Sequence, residues 1–525
     1  MGDNVIAKLS MVGLVAAVQG CLVGPDFERP KVELNAEWNG ANDPRLAADK
    51  AVDQRWWKQF RDPTLDQLIE IAYKQNYDLQ IAGLRILETR AELGIAFGAL
   101  FPHEGGASAS AEAVRTSGYA PNAQGVQQSF GQFQAGFDTV WELDFWGKYR
   151  RGVRSAEATY AATIADYDDA LVTLTAEVAR TYVLIRTNEA LLVQARQNVA
   201  LQEQGQEIAD SRFRNGATSE LDLAQATNLL ETTRATIPRL EVSLKKSQNA
   251  LNTLLGRPTG FAEAVLAAPR GIPEPPAVVQ VSVPAELIRR RPDIRGAELR
   301  ALAQCERIGM AEAELYPSFS LSGAIGTQTS VGSSNPSNSP LFGPGTLFAN
   351  VGGSVFWPLF NYPRLLENIR VEDARFQQSL VAYVQTVIRA AQEVDDGIVG
   401  FTKNQDAAKF SQGAVDSAES AVKLALVQYR EGAVDYQRVL DTQRVLLASQ
   451  NTLIDTRAAT ATELISLYKA LGGGWQIRLK DPFVNEKTQR EMEDRTNWGS
   501  HFERLEEQRT EDADASKPSQ RASRK

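Results

Sequence analysis

The chain has 525 residues, a formal net charge of −9 and 43% hydrophobic residues. So mild a negative balance argues against a nucleic-acid partner, and no apolar run beyond the N-terminus is long enough for a membrane-spanning helix. Cys21 and Cys305 are the only cysteines, too few for a disulfide framework.

Residues 1–20 read as an export signal. Lys8 precedes the apolar run Leu9 to Val18, and Val18-Gln19-Gly20-Cys21 has the form of a lipobox. Cys21 would then be the lipid-bearing mature N-terminus, followed by an irregular segment, 21–64. Asp62-Pro63-Thr64-Leu65 is a helix start, and the helical run it opens ends at Phe101-Pro102.

The period then changes from 3.6 to 2. Phe133, Ala135, Phe137, Thr139, Trp141, Leu143 and Phe145 alternate with polar residues, as do Ala107 to Ala113 before them. This predicts a hairpin over 104–145 with one apolar and one polar face. Phe319 to Ile325 and Leu347 to Leu359 predict a second hairpin over 317–360. Strands of about 9–11 residues or more suit a tilted membrane strand. Trp141, Phe145, Trp357 and Phe360 fall where interfacial girdles lie.

A proline-free helix is expected from Arg150 to Arg214, then a turn at Asn215-Gly216 and a shorter helix to Leu255, bent at Pro238. A proline-rich linker, 257–284, precedes a repeat of the whole plan over 285–472: helix, hairpin, long helix Arg364 to Arg430, turn at Glu431-Gly432 and helix 434–471. The segment 473–525 ends in a charged, aliphatic-poor tail from 486 that reads as disordered.

The halves are copies. Phe213-Arg214-Asn215-Gly216-Ala217 returns as Tyr429-Arg430-Glu431-Gly432-Ala433, and Leu255-Gly256 as Leu471-Gly472, at an offset of 216. Upstream, Leu100-Phe101-Pro102 returns as Leu315-Tyr316-Pro317 at an offset of 215. Register kept through a proline and two glycines marks a duplication, here residues 65–256 and 285–472.

Four strands cannot close a barrel, and an open edge in hydrocarbon leaves backbone groups unpaired. Several copies must each contribute, and a homotrimer of about twelve strands is the smallest symmetric closure with a water-sized lumen. The fold expected is mainly α with membrane β: duplicated helix–hairpin–helix halves, a trimeric 12-stranded β-barrel continued by an α-helical barrel.

Cys21-Leu22-Val23-Gly24-Pro25-Asp26, the duplication, the two aromatic-Arg-x-Gly turns and Val439-Leu440-Asp441-Thr442-Gln443 together resemble the outer-membrane factors of the NodT/OprM/TolC type. That resemblance implies a trimeric exit duct in the outer membrane and periplasm, docking with a periplasmic adaptor and an inner-membrane pump. It implies that the turns at Gly216-Ala217 and Gly432-Ala433 are the tips that meet the adaptor. It also implies an acidic constriction at Asp441 and a tip-closing tyrosine near Tyr429.

Asp435, Arg438 and Asp441 recur at three-residue steps, and the repeat sets Asp222 against Arg438. The expectation is an aperture gate in which Asp222 and Arg438 pair. The alternative is a periplasmic coiled-coil adaptor or structural rod, which would carry one helical hairpin. Catalytic residues, metal ligands and cofactors are not expected: His103 and His501, the only histidines, have no zinc or triad pattern, and Gly256-Arg257-Pro258-Thr259-Gly260 has no phosphate-loop lysine.

Overall fold

The computed structural model describes residues 22–515 other than 36, 41–42, 48–53, 103, 120–127, 267–269, 282–290, 333–340 and 344. Cys21, the export signal and His103 lie outside the described residues.

Each half runs helix, strand pair, long helix, short helix. In the first half these are α1 (Pro63–Gln75), α2 (Tyr77–Gly98), β1 (Glu104–Arg115), β2 (Ser129–Leu143), α3 (Lys148–Arg214) and α4 (Glu220–Leu254). In the second they are α5 (Pro292–Ala313), β3 (Ser318–Gly332), β4 (Leu347–Phe356), α6 (Tyr362–Arg430) and α7 (Tyr436–Ala470). The duplication is visible in the lengths: 67 and 69 residues for α3 and α6, 35 each for α4 and α7. Helices this long draw their stability from neighbours rather than from propensity.

Glycine ends the helices at matching places. After α3, Gly216 N–H donates to Phe213 O and Ala217 N–H to Arg212 O; after α6, Gly432 and Ala433 repeat this on Tyr429 and Gln428. Gly256 and Gly472 close α4 and α7 in the same way. Each of the four has φ between +64° and +78°, the left-handed C′ position of a Schellman motif, which glycine occupies without a Cβ penalty.

Several expectations need correction. The first helical run is two helices. Asn76 interrupts it, its side chain accepting from Leu79 N–H and donating to Leu254 O, so a local cap replaces helical continuity. The α5 helix has Pro292 at its first position, a favoured place for proline; the expected start at 285 lies outside the described residues. Pro238 lies inside α4, where the sequence placed it. The linker holds a short helix, Phe261–Leu266, and a bridge in which Leu46–Ala47 pairs in parallel with Val279–Gln280.

The tail expected to be disordered forms α8 (Glu486–Glu493) and α9 (His501–Ala515) over its described part, and 516–525 lie outside the described residues. Asn485 caps α8 by accepting from Thr488 N–H. Phe502 and Leu505, three residues apart on α9, are buried. Composition over forty residues hid this pair of anchors.

The described chain divides into two compact units. The first comprises Met1–Pro30, Leu87–Ala162 and Ala297–Tyr383; the second Lys31–Ile86, Thr163–Gly296 and Val384–Lys525. The first contains a four-stranded antiparallel sheet in the order β1-β2-β3-β4. The second is held by aromatic and ionic packing. Trp56 stacks on Tyr468 at 5.6 Å. Arg478, 1% exposed, pairs with Asp168 on α3 and lies over the rings of Trp475 and Phe483.

Asp169, next along α3, has no such partner in its carboxylate's favour. Burial, with the negative charge of Asp293 adding to it, pushes it up to about 6 against the partial relief of Arg291 and Lys469. A raised carboxyl pKa means that the folded state binds this proton more tightly than the unfolded chain. Above about pH 6 Asp169 therefore costs stability, and the cost fades as pH falls toward 4. Two pKa units set a ceiling of about 3 kcal/mol, which partial solvent exposure trims to about 1–2. Asp169→Asn should raise the melting temperature at pH 8 and leave it nearly unchanged at pH 4; equal effects at both pH values would contradict this.

Candidate functional site

Three features of the structure have no internal structural purpose that accounts for them: the two edges of the sheet, the paired helix turns, and the slot that takes the N-terminal segment.

Among the described residues no layer packs on the sheet. Register places Ala107, Phe137, Ile325 and Ala349 in one row across the strands, and Gly106, Asp138, Ala324 and Asn350 in the next. The large apolar side chains stand open: Phe137 is 66% exposed, Val351 82% and Val355 65%. A sheet apolar on one face and mostly polar on the other, with neither face covered, suits hydrocarbon on one side and water on the other. At its base three indoles bond to carbonyls: Trp141 to Leu100 O (3.1 Å), Trp146 to Pro317 O (2.8 Å) and Trp357 to Leu315 O (3.0 Å). A ring with an apolar body and a satisfied N–H belongs at a membrane–water boundary. The edge strands β1 and β4, with 12 and 10 residues, have no outer neighbour among the described residues.

The turns after α3 and α6 lie in the second unit and are stapled together. Arg212 donates through Nη1 to Tyr429 O (2.6 Å) and Arg430 O (3.4 Å), and through Nη2 to Ala217 O (3.3 Å). Its guanidinium lies 4.9 Å from the centroid of the Tyr429 ring. Beneath it Tyr429 and Tyr436 meet edge to face at 5.2 Å in a cluster with Ala209, Leu229, Val439 and Leu440. Burial, with Tyr429 and Asp222 adding to it, pushes the Tyr436 hydroxyl up to about 12; burial also raises Tyr429.

The residues expected to form a gate separate into three groups. Tyr429 is 1% exposed and serves as core within one chain, its hydroxyl 3.5 Å from Asp222. Asp435 caps α7 by accepting from Arg438 N–H. Arg438 and Asp441 are exposed, Asp441 accepting from Gln437 Nε2 at 2.9 Å. The expected Asp222–Arg438 pair does not form within the chain: Asp222 accepts from the Thr218 hydroxyl instead. Thr218 is four residues away on the same turn, whereas reaching Arg438 would mean ordering a long exposed side chain for a small gain. Gly216, Ala217, Gly432 and Ala433 are exposed.

Arg212 escaped sequence reasoning. One signal was present: the repeat sets Gln428 opposite it, so only one half carries the cation.

The third feature is in the first unit. Arg151, 1% exposed, donates to Val23 O, Gly24 O and Pro25 O, each at 3.1 Å, and pairs with Glu306 of α5 at 2.9 Å. Gly24, at φ +95°, sits so close to Gly309 that a Cβ would strike its backbone. Cys305 lies beneath with its thiol pushed up to about 11 by burial, Arg29 pairs with Glu298, and Phe27 meets Phe376. The N-terminal segment is thus held chiefly by its own backbone in a slot between α3 and α5.

The sequence matches the family described as outer membrane efflux protein over residues 68–257 and 283–473. It is 30% identical to the toluene efflux pump outer membrane protein TtgF of Pseudomonas putida over 489 residues, 90% of this chain and 98% of that one. It is 28% identical to the probable outer membrane lipoprotein SilC of Salmonella typhimurium over 470 residues, 89% of this chain and 99% of that one. The outer-membrane channel OprN superposes with a TM-score of 0.80 at 29% identity, covering 87% of this chain and 100% of OprN. An exposed apolar sheet, duplicated long helices and this match along both repeats leave no place for a periplasmic adaptor: the chain belongs to the outer membrane efflux protein family and is an outer-membrane efflux channel.

Proposed function

We propose that three copies of this chain assemble into a passive duct, twelve strands closing a barrel in the outer membrane and the helices lining a periplasmic tunnel. The observation that carries this is the uncovered four-stranded sheet with β1 and β4 as unpaired edges. Backbone groups in hydrocarbon must be paired, so each β1 meets the β4 of a neighbour. Cys21 carries lipid, in keeping with its lipobox and with SilC, a relative described as a lipoprotein. The duct performs no chemical step, and an inner-membrane pump supplies the driving force through a periplasmic adaptor.

The turns at Gly216-Ala217 and Gly432-Ala433 are the surface that meets the adaptor. Exposed residues on a stapled pair of Schellman turns give a docking partner a preformed target. Arg212 holds the two turns in register, and Arg438 and Asp441, exposed on α7, supply charge to the lumen. In threefold symmetry each becomes a ring of three, so Asp441 forms a cation-binding constriction.

Four measurements test this reading. Protein extracted from the outer membrane should run as a heat-modifiable trimer, and a monomer in mild detergent would end the barrel model. Radioactive palmitate should label the wild type and not Cys21→Ser, which should still yield some membrane trimer because the barrel itself anchors it. Cysteines placed at Ala217 and Ala433 should crosslink to a co-expressed adaptor; crosslinks confined to residues near Trp38 would move the docking surface elsewhere. In planar bilayers Arg212→Ala should raise the resting conductance, and Asp441→Ala should weaken block by multivalent cations. Hydrogen bonds from a charged donor contribute about 1.5–3 kcal/mol each, so loss of the Arg212 staple should shift the open population about tenfold or more. If both variants conduct and block like the wild type, the constriction lies elsewhere.

A further inference from the structure

The loop against which the N-terminal segment rests also borders a cavity that nothing so far described uses. Leu22, one residue beyond the lipobox cysteine, packs on the connection between β2 and α3. A Cβ on Gly147 would lie 2.7 Å from Leu22 Cδ1, and Val23 N–H donates to Trp146 O at 3.2 Å. That same connection lines a cavity of about 460 Å³ together with the bases of β3 and β4. The size falls within the range of roughly 300–1,000 Å³ seen for small-molecule sites.

The cavity wall is aromatic. Within the lining Phe145 meets Trp146 at 4.8 Å and Trp146 stacks on Tyr316 at 4.6 Å, while Phe319, outside the lining, meets Phe145 at 5.6 Å. Trp357 and Phe360 also line it, 51% and 105% exposed in the isolated chain. Two cations, Lys148 and Arg364, and three carboxylates, Glu142, Asp144 and Glu314, also line it, and Lys148 pairs with Glu314 at 3.2 Å. Apolar walls with charge beside them at the base of membrane strands suit an amphiphile whose chain is hydrocarbon.

From these contacts we infer that the aromatic cavity at the strand bases is a seat for an acyl chain of this protein's own Cys21. The inference rests on the acylation of Cys21 proposed above. Three facts single out this occupant. The Cα of Cys21 lies about 3.8 Å from that of Leu22 by covalent geometry alone. Leu22 is fixed on the cavity's own loop. The Arg151 slot holds the next residues by three carbonyls, so the tether has no slack in which to wander. A chain delivered there meets the seat at a high effective concentration, whereas bulk phospholipid must be recruited from the bilayer. The lipid would then do more than anchor: it would fill the gap where strands turn into helices.

The test uses full-length protein in cells fed a palmitate analogue bearing a photoreactive diazirine. After illumination, peptides are mapped by mass spectrometry. Adducts should concentrate on the peptides carrying Phe145-Trp146 and Tyr316 to Phe319. Inserting Gly-Ser-Gly-Ser between Cys21 and Leu22 lengthens the tether by roughly 14 Å and should cut that share roughly threefold or more, with label on Cys21 unchanged. Because the insertion leaves every seat residue in place, it does not depend on an altered cavity folding. Label on Cys21 with adducts only on phospholipid, or only on another part of the protein, overturns the seat while leaving acylation intact. Absence of label on Cys21 overturns the acylation itself.

Discussion

The structure depends on one constraint: backbone amides and carbonyls in hydrocarbon must find partners within protein. A helix meets it alone and a sheet meets it only by closing. This chain puts 12- and 10-residue strands at the two edges of its sheet, so it cannot meet the requirement as one copy. Symmetry, lumen and lipid-facing surface follow from that. The apolar residues of β2 and β3 look outward because a closed sheet has hydrocarbon on the outside only. The polar rows between them face water, as a lumen requires.

Much of this was legible in the sequence because it is periodic. A strand face repeats every two residues and a helix face every 3.6, and the duplication doubled each signal. Where a feature rests on few residues, the pattern failed. One asparagine, Asn76, divides a helix that periodicity joined. Phe502 and Leu505 order a tail whose average composition speaks for disorder. These are single side chains overriding a window average.

The sites were less legible for a related reason. Arg212 bonds to carbonyls 217 and 218 residues away, and Arg151 to carbonyls 126 to 128 residues away. Backbone carbonyls are the same at every position, so the acceptor leaves no mark in the sequence. Charge pairs do leave a mark: Asp222 and Arg438 match by repeat position, although within one chain a threonine on Asp222's own turn takes the bond. Tyr429 is buried within one chain, and its carbonyl accepts from Arg212.

The staple at Arg212 bears on descent as well as on mechanism. Before the halves fused, a polypeptide with one strand pair would have needed six copies to encircle the same lumen, and every subunit would have been bound to carry the same residue at each level. A cation suited to one turn would have been imposed on all six. Fusion released that bond. With both halves in one chain, Arg212 stands in one and Gln428 at the matching place in the other, so a threefold ring carries two kinds of turn in alternation. Any partner that binds by matching such a surface would be counted by its symmetry, three or six, before it is recognised by its chemistry.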